Sequence, residues 1–155
     1  MTERMTIVED DLSRDAVRAL VKLHLEGMHA ASPPGTCFVL DLSGLQEPNV
    51  TVWSAWRANA LCGIGALKQL DQTTGEVKSM RTHPDHLKSG VGAALLEHII
   101  GQARSRGLSK LSLETGDGPE FAAALSLYRK RGFVKGAPFA DYQPSDFNQF
   151  FHLAL

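Results

Sequence analysis

The sequence is poor in cysteine, because only Cys37 and Cys62 occur among its 155 residues. Two cysteines are too few for a disulfide framework, and this pair lacks the spacing of metal ligands. An excess of one charge is also missing, since 16 lysines and arginines face 17 aspartates and glutamates for a net charge of -1. This balance gives no reason to expect nucleic acid or an anionic membrane as a partner.

Long apolar runs are absent as well. No segment approaches the roughly 20 consecutive apolar residues of a membrane-spanning helix. Residues 1–11 mix acidic and basic side chains and contain no apolar stretch of a secretory signal, so we expect a cytoplasmic protein. A length of 155 residues with 43% hydrophobic and 21% charged content suits one globular domain over residues 1–155.

The most informative segment that is present is the Gly-x-Gly turn Gly90-Val91-Gly92, between a predicted strand and an amphipathic helix. The first amides of a helix have no partner inside it, and the helix dipole adds partial positive charge there. Glycine carries no Cβ atom that would keep a ligand away from those amides. The turn therefore predicts a cradle for a phosphate or pyrophosphate.

Three phosphate ligands compete for this cradle. A nucleoside triphosphate loop ends in Gly-Lys-Ser/Thr, whereas here Gly92 is followed by Ala93 and Ala94, which argues against it. A dinucleotide loop needs a third glycine where Leu95 stands, although Glu114 lies about 20 residues downstream, where a ribose-binding acid is expected. The third ligand is coenzyme A.

The order of the predicted elements is that of a mixed α/β sheet, in which an antiparallel meander precedes a right-handed βαβ unit. Strands are predicted over residues 5–9, 50–57, 61–69, 76–82 and 108–115, with one or two more in 133–155. Helices are predicted over residues 11–29, from 91 to a stop at 107, and over 119–131. Residues 36–49 are ambiguous between a short helix and a loop.

Two segments resemble motifs of the GCN5-related N-acetyltransferase (GNAT) superfamily. Residues 83–96, HPDHLKSGVGAALL, are similar to motif A of that family, and residues 124–133, ALSLYRKRGF, are similar to its Ala-x-x-Leu-Tyr-x-x-x-Gly-Phe segment. The resemblance implies a GNAT-like mixed sheet and acetyl-CoA as co-substrate, with no metal. It also implies that the two central parallel strands separate, so that the pantetheine arm lies between residues 76–82 and 108–115.

The resemblance implies a set of residues that bind the coenzyme, partly through their backbone amides. They are Met80, Thr82, Leu87, Lys88, Ser89, Gly90, Val91, Gly92 and Ala93. Two positions depart from the family pattern. Leu87 stands where the loop usually has Gln or Arg, which leaves Lys88 as the neighbouring source of a cation. Phe121 stands where the family often has an asparagine that contacts the cofactor.

Tyr128 matches the family's tyrosine, and the resemblance implies that it is the general acid for the leaving thiolate; the alternative is a tyrosine packed in the core. Glu76 is the carboxylate placed best to deprotonate the amine, directly or through water. The alternative for Glu76 is a solvated charge at a strand end. Glu114 is a second candidate for the base, whereas His83 and His86 are interpreted as surface residues.

The expected function is acetyl-CoA-dependent N-acetylation of a primary amine, which attacks the thioester directly. The acceptor is a small molecule or a peptide, and neither nucleic acid nor membrane is expected as a partner. A homodimer is left open. Two alternatives also stay open, a non-catalytic module that binds acyl-CoA as a sensor and a nicotinamide-dependent oxidoreductase.

Overall fold

The computed structural model describes residues 4–155. The strands in this range are β1 (Met5–Asp10), β2 (Val50–Arg57), β3 (Ala60–Gln69), β4 (Thr74–Thr82), β5 (Lys110–Thr115), β6 (Val134–Lys135) and β7 (Gln149–Ala154). The α-helices in the same range are α1 (Asp15–Ala31), α2 (Leu42–Leu45), α3 (Val91–Ser105) and α4 (Ala122–Arg131). The strands form one seven-stranded sheet in the order β1-β2-β3-β4-β5-β7-β6.

The sheet is mixed, as the order of predicted elements indicates. Strands β1 to β4 pair antiparallel with their neighbours in sequence. Strand β5 runs parallel to β4, and α3 connects the two. Strand β7 then inserts antiparallel between β5 and β6. The predicted α/β fold, a meander followed by a βαβ unit, is confirmed.

Alternation along β3 supplies both faces of the sheet with apolar contacts. On one face, α3 packs closely, because a Cβ atom at Gly65 would lie 3.0 Å from Cδ1 of Ile99 and 2.7 Å from Sδ of Met80. On the other face, Ile64 belongs to a core cluster with Val17 of α1. Fully burying an aliphatic side chain of this size stabilises a fold by about 1.5–3 kcal/mol.

Two helix starts differ from the prediction. Helix α1 begins at Asp15 rather than at residue 11, because Leu12 has a φ of 65° and the Asp11 carboxylate accepts a hydrogen bond from the Ser13 amide. A 3₁₀ turn over Pro119–Phe121 precedes α4, which delays that helix by three residues. Between residues 4 and 155, no helix combines the length and apolar character needed to cross a membrane.

Candidate active site

Strands β4 and β5 stay together for only part of their length. Their parallel pairing runs from Thr74 opposite Lys110 to Glu76 opposite Ser112. Beyond that point β4 continues to Thr82 and β5 to Thr115 without pairing to each other. The sheet therefore opens between its two central strands and leaves backbone groups of both free of a strand partner on that side, as the family resemblance implies.

A β-bulge interrupts β4 within this opening. Ala66 of β3 is opposite Lys78, but Ile64 is opposite Arg81, so β4 contains one residue more than β3 over this stretch. The extra residue forces Ser79 to a φ of 55°, an uncommon conformation for a residue with a Cβ atom. Bulges re-aim side chains and end regular pairing beside active sites. No glycine or proline marks this bulge in the sequence, which is why sequence reasoning missed it.

The glycine turn leads into α3, as predicted. Gly90 is the N-cap of that helix, has a left-handed φ of 85°, and provides no side-chain cap. A Cβ atom there would meet nothing within 4 Å. Glycine is therefore favoured at this position by the left-handed backbone conformation and not by a lack of space. At Gly92, in contrast, a Cβ atom would lie 3.3 Å from Cδ2 of Leu127. Because Gly90 provides no side-chain cap, the first amides of α3 stay available to an anion.

The turn is fastened by a residue that sequence reasoning missed. Arg57, at the end of β2, donates from Nη1 to Oγ of Ser89 at 2.9 Å and from Nη2 to the Ser89 carbonyl at 2.7 Å. Ser89 Oγ in turn donates to the His86 carbonyl at 2.5 Å. The neighbouring side chains of Leu87, 61% exposed, and Lys88 lie in solvent. Arg57 is 32 residues away from Ser89 in sequence, so no local motif indicated this contact.

Tyr128 lies in α4 and is only 7% exposed. Its ring packs edge-to-face against Phe133, with 5.7 Å between the ring centroids. Burial raises the pKa of the phenol, so its hydroxyl stays protonated at neutral pH. Within residues 4–155 no side chain or backbone group forms a hydrogen bond with that hydroxyl. The ring thus belongs to the core, as in the alternative interpretation of Tyr128 as a packed tyrosine. Its hydroxyl proton is free to be donated.

Glu76 is not a solvated strand-end charge; that interpretation is wrong. Its side chain is 3% exposed and its Oε2 lies 3.2 Å from Nζ of Lys78. The Tyr142 hydroxyl donates to the same oxygen at 2.5 Å. Burial and the Glu76 carboxylate raise the pKa of Tyr142, which keeps this phenol a donor. Tyr142 is 66 residues away from Glu76 in sequence, so no local motif indicated the pairing.

Glu114 lies near the end of β5, where the strands have separated. Its Oε2 accepts a hydrogen bond from Nδ2 of Asn148 at 2.6 Å. Burial raises the pKa of Glu114 more than this hydrogen bond lowers it. The side-chain amide of Asn148 also donates to the Thr36 carbonyl at 3.0 Å. Asn148 therefore links two loops, residues 32–41 and 136–148, to Glu114 at the open end of the sheet.

The two histidines near the glycine turn have local roles. His83 is the N-cap of the 3₁₀ turn Pro84–His86, because its Nδ1 accepts a hydrogen bond from the Asp85 amide at 3.1 Å. The rings of His83 and His86 pack edge-to-face with centroids 5.8 Å apart. Within residues 4–155, neither imidazole forms a hydrogen bond with Glu76, Glu114 or Tyr128.

These features together are those of an acyltransferase fold. Residues 15–133 match the model of the Acetyltransferase (GNAT) family, so the chain belongs to that family. It is 48% identical over 150 residues to the uncharacterized N-acetyltransferase YedL of Escherichia coli (strain K12), covering 97% of this chain and 94% of that one. The uncharacterized N-acetyltransferase YsnE of Bacillus subtilis (strain 168) is 48% identical over 138 residues, or 89% of this chain and 91% of that one. The chain is therefore an acetyltransferase.

A solved structure shows the same fold. An acetyltransferase of Bacillus subtilis, crystallised in complex with CoA, superimposes with a TM-score of 0.74. The alignment covers 98% of this chain and 99% of that one, at 20% sequence identity. A fold that holds coenzyme A in that protein is thus shared by this chain over nearly all of its length.

Proposed function

We propose that this acetyltransferase transfers the acetyl group of acetyl-CoA to a primary amine of a small-molecule or peptide acceptor, by direct attack of the amine on the thioester. The observation that carries the proposal is the opening between β4 and β5, which leads directly into the glycine turn. Acetyl-CoA supplies the activated acetyl group. Family membership and a CoA-bound structure of the same fold support this co-substrate.

The coenzyme would be held mainly by the backbone. The amides of residues 89–93, at the start of α3, have no competing side-chain cap, which suits them to bind the pyrophosphate. Met80 and Thr82 lie in the part of β4 that is not paired with β5, where backbone groups on that side can bind the pantetheine amides. One of these amides is also suited to polarise the thioester carbonyl; a preorganised donor of that kind contributes about 3 kcal/mol to catalysis.

The amine must lose a proton, and the two carboxylates near the opening are the candidate bases. Glu114 is partly exposed and has a raised pKa, both of which favour a general base. Glu76 is covered by Tyr142 and balanced by Lys78, so it acts as the base only through the Tyr142 hydroxyl. We propose Glu114 for direct proton transfer and keep Glu76 as the relayed alternative.

Tyr128 is proposed as the general acid. Its uncommitted hydroxyl proton is donated to the departing sulfur, which becomes a thiol. Burial raises the pKa of the phenol, so the hydroxyl keeps its proton at neutral pH and can donate it when the thiolate departs. A purely packed tyrosine would need no free hydroxyl.

The proposal is tested with an acceptor screen that measures free thiol released from acetyl-CoA. Amino acids, polyamines and short peptides serve as acceptors, and thermal shift with acetyl-CoA and with NAD reports which coenzyme binds. Acceptor-dependent thiol release is expected. Stabilisation by acetyl-CoA with no thiol release for any acceptor would instead support the sensor, and stabilisation by NAD alone would support the oxidoreductase.

A further inference from the structure

Arg81 is a half-buried arginine on the α1 face of the sheet, directly after the bulge in β4. Its Nε donates to Nδ1 of His24 in α1 at 2.9 Å. The guanidinium lies over Gly27 of the same helix, because a Cβ atom there would be 3.1 Å from Nη2. An alanine at position 27 would therefore push against the Arg81 guanidinium.

No anion in the described chain balances this charge. Within residues 4–155, no carboxylate lies within 4.0 Å of Arg81, and neither Nη1 nor Nη2 donates a hydrogen bond. His24 is buried, and its burial and the charge of Arg81 lower its pKa to about 3. The imidazole is therefore neutral, so it orients the guanidinium through one hydrogen bond and adds no counter-charge. A planar fork of this kind is suited to a carboxylate, which it binds through two parallel hydrogen bonds.

The bulge places this cation on the same face as the carboxylates. Arg81 is opposite Ile64 and Lys78 is opposite Ala66, and these two β3 residues point to the same side of the sheet. Glu76 lies two residues before Lys78 and so shares that side. The face thus has acidic groups where the strands separate and an unpaired guanidinium further along β4.

We propose that Arg81, oriented by His24, binds a carboxylate of the acceptor, so that the preferred substrates are amines that also carry a carboxylate, such as amino acids. This inference rests on the proposed N-acetylation. The carboxylate belongs to the acceptor and not to the coenzyme phosphates, because α3 and its first amides lie on the opposite face of the sheet. An amino acid bound to Arg81 would direct its amine along β4 toward the acidic groups.

The test compares amino acids with their carboxamides, in which a neutral amide replaces the carboxylate that Arg81 would bind; comparison between variants cancels the difference in amine basicity. The twenty standard amino acids and their amides are screened by thiol release with wild type, Arg81→Gln and Lys22→Gln; Lys22→Gln removes an exposed positive charge of α1. Wild type and Lys22→Gln should favour the best acid over its amide by at least tenfold in kcat/KM. In Arg81→Gln this ratio should fall to near one, since a charge-assisted hydrogen bond is lost.

Several results would overturn the inference. Wild type using acid and amide equally well would do so, and so would an unchanged ratio in Arg81→Gln. A tenfold loss of acetyl-CoA affinity in Arg81→Gln would make the arginine a coenzyme ligand instead. Arg81→Lys covers the case in which the glutamine variant does not fold, because it keeps the charge but not the fork and should lower the ratio partially.

Equilibrium binding distinguishes failure of the proposed acetylation from failure of the carboxylate site at Arg81. If no acceptor releases thiol, the same amino acids are titrated into wild type and Arg81→Gln by calorimetry. Binding to wild type that weakens at least tenfold in Arg81→Gln would retain the carboxylate site without the acetylation. Equal binding, or no binding to either protein, would overturn the site itself.

Discussion

At Tyr128, one substitution separates packing from chemistry. Tyr128→Phe keeps the ring against Phe133 and removes only the hydroxyl. Acetyl transfer at saturating acetyl-CoA should slow about 10²-fold, the usual contribution of a general acid. Coenzyme affinity and Tm should stay nearly unchanged, as measured by thiol release and thermal shift. Equal turnover by the variant and wild type would remove Tyr128 from the mechanism.

Glu114 and Glu76 are distinguished by paired amide variants. Glu114→Gln keeps an oxygen that accepts from Asn148, and it should slow transfer about 10²-fold as expected for loss of a general base. The wild-type rate should fall with decreasing pH as Glu114 is protonated, and Glu114→Gln should lack this limb of the pH–rate profile. A loss in Glu76→Gln with an unchanged rate in Glu114→Gln would assign the proton transfer to Glu76 and its Tyr142 relay.

The same carboxylate has a consequence for stability. Burial raises its pKa in the folded chain above the ordinary value of 4.5, so ionisation is less favourable in the folded chain than in the unfolded one. This destabilisation is absent below pH 4.5 and grows as the pH rises through the folded pKa. Glu114→Gln should therefore have a higher Tm than wild type at pH 7, with a smaller difference near pH 4.

Among elements, the start of α3 depends on one backbone conformation. Gly90→Val strains a residue with a φ of 85° and should disturb the first amides of the helix. Acetyl-CoA affinity should fall at least tenfold, or by about 1.4 kcal/mol. Gly101→Ala in the same helix is the matched control, since a Cβ atom there meets nothing within 4 Å. Unchanged coenzyme binding by Gly90→Val would place the anion site elsewhere.

The glycine turn also offers space for an added cation. Leu87 is 61% exposed, so an arginine there fits without repacking. Leu87→Arg should tighten acetyl-CoA binding severalfold, because a charge-assisted hydrogen bond to phosphate is gained. The dissociation constant measured by calorimetry checks this, with Val134→Arg as a control at a second exposed apolar residue. If affinity does not change, Lys88 or the backbone amides already saturate the phosphate.

Elements marked by local signals could be predicted from the sequence. Strand β2 occupies residues 50–57 as predicted, because its apolar residues are bounded by turn signals on both sides. The bulge at Ser79 could not be predicted, since it arises from pairing with β3 rather than from a permissive residue. Side-chain partners distant in sequence were also missed: Tyr142 on Glu76 and His24 on Arg81 are brought together only by the folded sheet.

For the whole molecule, the two faces of the sheet have different chemistry. The face under α3 and α4 is apolar around Leu95, Leu125 and Tyr128. The opposite face has the charged side chains of Glu76 and Arg81, with α1 and the loop 136–148 packed against them. The coenzyme and the acceptor are thus expected to approach from opposite sides and to meet where β4 and β5 separate.

The bulge in β4 decides which face of the sheet each later residue of the strand occupies. If β4 kept all of its residues but paired regularly with β3, every position after Lys78 would exchange faces. Arg81 would then point into the apolar layer under α3, and Met80 would turn toward α1. Loss of the codon for residue 79 would instead restore a regular ladder and leave Arg81 opposite Ile64, so a one-residue deletion in the bulge should be tolerated on this face, whereas divergence of acceptor preference requires substitution at position 81.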